Sequence, residues 1–172
     1  AVDNGKLKAS LTPVHSDAYL IAVPTPFKGD DHEPDLSYIQ AVSKALAPLL
    51  EKGDIVILES TSPVGATEKM VEWLAEARRD LTFPKYYEPD IEADIFVAYC
   101  PERVLPGKVV EELISNDRII GGMTKESTKK AQEVYSGVAN TNVVEAQGPR
   151  PVQIHMESIK PKPQTNVYRK PP

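Results

Sequence analysis

Four consecutive apolar residues, Ile55-Val56-Ile57-Leu58, constrain this chain more than any other feature. A run with no polar alternation has no face to offer water, so it predicts a strand covered on both sides. Similar runs at Tyr19-Leu20-Ile21-Ala22-Val23 and Ile95-Phe96-Val97-Ala98-Tyr99 predict further strands of the same kind. Shorter ones follow at Ile119-Ile120 and Val143-Val144.

The stretches between these runs carry helical periodicity. After Pro34, Asp35 is placed to cap a helix whose apolar positions are Leu36, Ile39, Val42, Leu46 and Leu49. Pro48 has no N–H to give and should kink or end that helix early, with Gly53 as a stop signal. Met70, Trp73, Leu74 and Ala77 recur at i, i+3, i+4 and i+7. Val109, Val110, Leu113 and Ile114 suit a short helix, and Thr124 can cap another with Ala131, Val134, Tyr135 and Val138 on one face. Strands alternating with helices predict an α/β fold, a parallel sheet flanked by helices with right-handed crossovers.

Composition narrows the function classes. The chain has 172 residues, 41% hydrophobic and 26% charged, which suits one ordinary domain with a real core. Its net charge of -5 argues against a nucleic-acid partner, although local backbone N–H groups can still hold a single anionic nucleotide. The one cysteine excludes an internal disulfide framework and fits a reducing, cytoplasmic setting. No apolar run approaches the ~20 residues of a membrane span. The chain opens on Ala1-Val2-Asp3, without an initiator methionine or a signal-peptide pattern. A processed start or a piece of a longer protein is therefore expected.

In an open parallel α/β sheet, ligands bind beyond the carboxyl ends of the strands. The residues just after each apolar run are accordingly the candidate site. These are Pro24-Thr25-Pro26, Glu59-Ser60-Thr61-Ser62-Pro63-Val64-Gly65, Cys100-Pro101-Glu102-Arg103-Val104-Leu105-Pro106-Gly107, and Gly121-Gly122. Thr25, Thr61 and Thr67 offer hydroxyls for a ribose, a carboxamide or a phosphate. The turn after Pro63 enters a helix N-terminus, where free N–H groups favour anions. Glu102 can order a water or accept a proton, and Arg103 can hold a diphosphate through its planar fork.

Each of these residues also has an ordinary use. Thr and Ser beside Pro are common cap and turn residues, and Glu102 with Arg103 also reads as a surface ion pair. The acidic run Asp30, Asp31, His32, Glu33 and Asp35 reads as a solvated loop before a helix, so no metal site is expected. The three histidines, His15, His32 and His155, show no ligand spacing. Cys100 has no adjacent histidine in sequence and is read as structural rather than nucleophilic.

Four of these segments, taken in order, resemble one family. Val23-Pro24-Thr25-Pro26-Phe27-Lys28-Gly29 and Glu59-Ser60-Thr61-Ser62-Pro63-Val64-Gly65 look like strand-end loops of the UDP-glucose/GDP-mannose dehydrogenase family. Tyr99-Cys100-Pro101-Glu102-Arg103-Val104-Leu105-Pro106-Gly107 looks like that family's UDP-N-acetyl-D-mannosamine branch, and Asn116-Asp117-Arg118-Ile119-Ile120-Gly121-Gly122 is similar as well. The resemblance implies NAD-dependent oxidation of the C6 alcohol of a UDP-amino-sugar to the uronate, in full-length members that are homo-oligomers. It implies Pro24, Thr25, Thr61 and Thr67 as NAD contacts and Arg103 and Val104 as UDP-sugar contacts. It also implies Glu102 and Thr61 as catalytic residues.

The departures from that family matter equally. No Gly-x-Gly-x-x-Gly loop occurs in these residues, and Cys100 does not match the family's nucleophilic cysteine. The expected organisation is a partial Rossmann-like NAD-binding domain over 1–147, its first βαβ unit missing. A basic, proline-rich tail over 148–172 follows, expected to be extended or disordered and read as an out-of-frame product. Three functions remain open at this point. The chain can be an enzyme fragment inactive alone, a non-catalytic nucleotide- or UDP-sugar-binding module, or an interaction piece presenting the edge of its first strand.

Overall fold

A computed structural model describes residues 5–29, 33–86, 88, 91–102, 107, 116–136, 143–146, 148–150 and 152–153. The short helix expected over 109–114, with Arg103 and Val104 before it, lies outside the described residues, as does the chain beyond Gln153.

The apolar runs form the sheet. Strands β1 (Ala18–Ile21), β4 (Ile55–Leu58), β5 (Phe96–Tyr99), β6 (Arg118–Gly122) and β7 (Val143–Glu145) lie side by side in that order. A two-stranded ribbon, β2 (Phe27–Lys28) with β3 (Glu33–Pro34), stands apart from them. All four residues of β4 are buried, as a strand covered on both faces requires. Val56 and Leu58 join Tyr19, Ile21, Val97 and Tyr99 on one face, packed against Ile39, Leu46, Met70 and Leu74. Ile55 and Ile57 join Ala98, Cys100 and Ile120 on the other, packed against Ala131 and Tyr135. The strict alternation between faces is the period of the pleat. Helices α1 (Ser37–Leu46) and α2 (Ala66–Ala77) cover the first face, and α3 (Lys125–Ser136) covers the second.

Strand direction departs from the expectation of an all-parallel sheet. β1, β4 and β5 run parallel, and β6 and β7 run parallel to each other, but β6 is antiparallel to β5, with Ala98 opposite Gly122 and Tyr99 opposite Gly121. The chain between β5 and β6 leaves and re-enters the sheet on the same rim, so it makes no crossover.

The helix signals carry through. Asp35 Oδ1, one residue ahead of the N-cap Leu36, accepts the Ser37 N–H at 2.8 Å, and Thr124 Oγ1 accepts the Ser127 N–H at 3.1 Å. Pro48 turns the end of α1 into a 3-10 segment, Ala47–Leu49. Arg78, just past α2, donates to the Ala47 and Leu50 carbonyls at the ends of that segment, at 2.8 and 2.6 Å. The buried face of α3 is more polar than its periodicity suggests: Ser127 Oγ accepts the Val97 N–H at 3.2 Å, and Thr128 Oγ1 the Gly122 N–H at 3.1 Å. These hydroxyls serve backbone N–H groups of β5 and β6 that water cannot reach.

The first residues beyond position 147 also depart from the expected extended tail. Pro149, Arg150, Val152 and Gln153 have helical backbone, and Val152 and Gln153 are fully buried. Gly121 makes room for them. A Cβ there would stand 2.0 Å from the Gly148 carbonyl oxygen and 2.9 Å from Val152. Composition alone misses this because the segment gains its burial from a surface formed elsewhere in the chain.

Candidate functional site

The carboxyl ends of β1, β4 and β5 share one rim, where Glu59 and Cys100 still donate to the Ile21 and Leu58 carbonyls and the chain leaves the ladder just beyond them. Ser60, two residues past β4, ties that rim together. Its Oγ accepts the Val23 N–H at 2.7 Å and donates toward the Val23 and Ile21 carbonyls at 2.7 and 3.3 Å. One hydroxyl thus replaces the ladder where β1 ends, two residues before its apolar run does. Beyond it, Thr25 Oγ1 donates to the Thr61 carbonyl at 2.6 Å, joining the two candidate loops directly. Ser62 is held from the β5 side, its N–H donating to Tyr99 Oη at 3.2 Å. Pro24 and Thr61 are exposed and Thr25 is half-buried, so short side chains and backbone face any ligand arriving here.

The third loop brings acid and base chemistry to the same rim. The Glu102 N–H donates to the Glu59 carbonyl at 3.3 Å, setting the β5 loop against the β4 loop. Because β6 is antiparallel, its first residue, Arg118, also arrives here, and Arg118 Nη1 lies 3.3 Å from Glu102 Oε2. The same guanidinium stacks 4.9 Å above the Tyr135 ring centre, and Tyr135 Oη donates to Glu59 Oε1 at 2.6 Å. Burial opposes the Arg118 charge, yet Glu102, Cys100 and Tyr135 hold its pKa above the ordinary arginine value. Burial pushes the Tyr135 phenol up, and Cys100 and Glu59 push it further. The Cys100 thiol is also pushed up, to about 11, chiefly by burial; its contacts with Tyr135 and Arg118 oppose the shift. A fully buried thiol with a raised pKa is a poor nucleophile, in keeping with a structural Cys100.

The structure therefore brings Pro24, Thr25, Thr61 and Glu102 together on one rim and leaves Thr67 off it. Thr67, in the first turn of α2, is fully buried and receives the Gln153 side-chain amide at 3.1 Å. Gly121-Gly122, expected after a fourth parallel strand, lies away from this rim because β6 runs the other way, and Gly122 packs against α3 instead. Sequence reading missed Arg118 and Tyr135 as site residues. The available signal was polarity out of place: a lone arginine opening an apolar strand, and a phenol one turn beyond Ala131 on the helix face turned to the sheet. Among the described residues no group of histidine, cysteine, aspartate and glutamate can hold a metal ion, and no helix is long and apolar enough to cross a membrane.

Residues 1–139 match the NAD binding domain model of the UDP-glucose/GDP-mannose dehydrogenase family. The chain belongs to this family. UDP-N-acetyl-D-mannosamine dehydrogenase from Escherichia coli K12 is 62% identical to it over 135 residues, which are 78% of this chain and 31% of that protein. The Ralstonia solanacearum NDP-N-acetyl-D-galactosaminuronic acid dehydrogenase is 58% identical over 135 residues, again 78% of this chain and 31% of the relative. Among solved structures, the UDP-N-acetyl-mannosamine dehydrogenase of Staphylococcus aureus superposes with a TM-score of 0.78 at 36% identity, covering 91% of this chain and 36% of that one. The chain thus spans about a third of the length of these relatives. The Rossmann-like α/β architecture and the cofactor expected from sequence, NAD, are those of the matched domain. The chemistry of the rim is compatible with that cofactor, since exposed Thr61 and half-buried Thr25 bring hydroxyls, beside exposed Pro24, to the edge where a parallel sheet binds nucleotides.

Proposed function

We propose that this chain supplies the cofactor rim of an NAD-dependent UDP-N-acetyl-D-mannosamine dehydrogenase, which oxidises the sugar C6 alcohol to the uronate. The observation that carries this reading is the 2.6 Å hydrogen bond from Thr25 to the Thr61 carbonyl, with Glu102 on the neighbouring strand end. It joins two loops of short polar residues into one edge beside a carboxylate. Bound NAD would supply the hydride acceptor. Pro24, Thr25 and Thr61 would line its nicotinamide end, and Glu102, oriented by Arg118, would order a water or take a proton beside the reacting carbon. Arg103 and Val104, which follow Glu102 in sequence, would hold the UDP-sugar, the arginine through its charged fork. Thr67 would contact the cofactor only if Gln153 withdrew, because its hydroxyl is engaged and buried.

Turnover needs more than these residues. Cys100 is too buried, and its thiol too weakly acidic, to form a thioester, and no Gly-x-Gly-x-x-Gly loop is present in the sequence. The purified chain should give no NADH from UDP-N-acetylmannosamine and NAD, and turnover above a protein-free control would refute this. Each ligand should nevertheless raise the melting temperature, since a ligand of the native state stabilises it. The NAD shift should shrink in Thr61→Val and the UDP-sugar shift in Arg103→Ala. A titration without response to either ligand would overturn the reading. A response to both without turnover equally suits a non-catalytic binding fragment, a second reading favoured by the inert state of Cys100.

A further inference from the structure

We infer that Gln153 is a positioning residue for the candidate cofactor rim, capping α2 from a distant part of the chain and so holding the turn that carries Thr61. Gly65, the N-cap of α2, sits at φ +91°, in the left-handed region where a side chain is strained, and it has no side chain with which to cap. Serine and threonine, two of the usual N-cap residues, would be strained at this position by backbone conformation. The usual alternative is a glutamate three residues on, reaching back to the N-cap amide. Glu68 occupies that place, but its Oε1 is held by Arg150 Nε. Gln153 caps the helix instead. Its Oε1 accepts the Gly65 N–H at 3.1 Å and its Nε2 donates to Thr67 Oγ1 at 3.1 Å, across 88 and 86 residues of sequence. Gln153 and Thr67 are both fully buried, so water cannot replace the bond between them, while the bond to Gly65 is part-buried.

The consequence reaches the rim through a short chain of contacts. Gly65 closes the turn that starts at Pro63, whose carbonyl accepts the Ala66 N–H at 3.1 Å. The turn's other end is pinned by Ser60 to β1 and by Ser62 to Tyr99. With Gln153 in place, the segment from Ser60 to Gly65 is fixed at both ends and Thr61 is presented between them. This role rests on the cofactor reading only for the use made of Thr61; the cap itself stands apart from it.

Amide hydrogen exchange on this chain tests the cap. Gln153→Met keeps the volume and removes both bonds, so exchange at Gly65 should accelerate about tenfold, the scale of one lost hydrogen bond. The acceleration should extend to Thr61 and Ser62, while β5 amides stay unchanged. Gln153→Glu should restore protection, because its carboxylate accepts from Gly65 N–H and from the Thr67 hydroxyl at a helix N-terminus. Should the methionine variant not fold, Thr67→Val breaks the bridge from the helix side, and faster Gly65 exchange is again expected. Unchanged exchange at Gly65, equal acceleration across the sheet, or no rescue by glutamate would overturn the proposal. Adding NAD to the wild-type chain separates the two claims: no protection at Thr25 or Thr61 counts against the cofactor reading and leaves the Gln153 result intact.

Discussion

Arg118 opens β6 and Glu102 follows β5, and the antiparallel pairing of these strands brings Arg118 Nη1 to 3.3 Å from Glu102 Oε2. The arginine side chain is 11% exposed and the glutamate 38%, so water screens the carboxylate far more than the guanidinium. The arginine also covers the Tyr135 ring, which gives it an apolar as well as an ionic role.

Arg118→Met should therefore cost more than the loss of an ordinary surface pair. An exposed ion pair contributes about 0–1 kcal/mol, whereas removing one partner of a buried pair costs roughly 3–5 kcal/mol, and this half-screened pair should fall at about 2 kcal/mol. Arg118→Lys keeps the charge but not the stacked, planar fork, so its loss should be intermediate. Urea denaturation of the three proteins checks the order wild type, lysine, methionine. A methionine variant as stable as wild type would mean that the pair contributes nothing.

Tyr135 Oη donates to Glu59 Oε1 at 2.6 Å across the sheet-helix interface. Tyr135→Phe keeps the ring under Arg118 and removes only the hydroxyl. A hydrogen bond to a charged group contributes about 1.5–3 kcal/mol, and Glu59 is only partly buried, so a loss near the lower end is expected. Chemical denaturation gives the number. An Arg118→Met effect of the same size with and without Tyr135→Phe would show that the two contacts are independent.

Gly121 faces the backbone of Gly148 so closely that a Cβ would stand 2.0 Å from its carbonyl oxygen. Backbone cannot step aside as a flexible side chain can. Gly121→Ala should therefore displace residues 148–153 from the sheet, exposing Val152 and Gln153 at a cost of about 1–3 kcal/mol. Amide exchange at Val152 and Gln153 should rise well above its wild-type rate, while the amides of β4 keep their protection. Wild-type exchange at both positions would show that the sheet accommodates the methyl group.

The Cys100 thiol has a folded pKa of about 11, raised by burial. In the unfolded chain it returns to about 8.5. Below that value both states hold the proton, and the stability associated with the neutral thiol is fully present. As pH rises from there toward 11, the unfolded chain releases its proton while the folded chain keeps it, so stability falls across this window. Cys100→Ala should flatten that alkaline decline. In the native protein at a pH of about 8, alkylation by iodoacetamide should be slow and limited by opening of the fold, and rapid labelling would contradict the buried placement.

Much of this architecture was legible from the sequence alone. The apolar runs marked all five strands of the main sheet, most directly β4, which is buried at every residue. The edge strands β1 and β7 leave Leu20 and Val144 exposed, against the expectation of cover on both faces. Asp35, Pro48 and Thr124 marked helix ends, because caps and missing N–H groups act within a few residues. The rim loops were legible for the same reason, since they follow directly on the strands. Tertiary structure alone decided the rest. An apolar run reads the same in either direction, so the reversal of β6 that delivers Arg118 to Glu102, and removes Gly121-Gly122 from the rim, depended on the path of the intervening chain. The burial of Thr67 under Gln153 depended on partners 86 residues apart, and no local pattern records a hydrogen bond that exists only once the sheet and α2 have formed a surface to receive it.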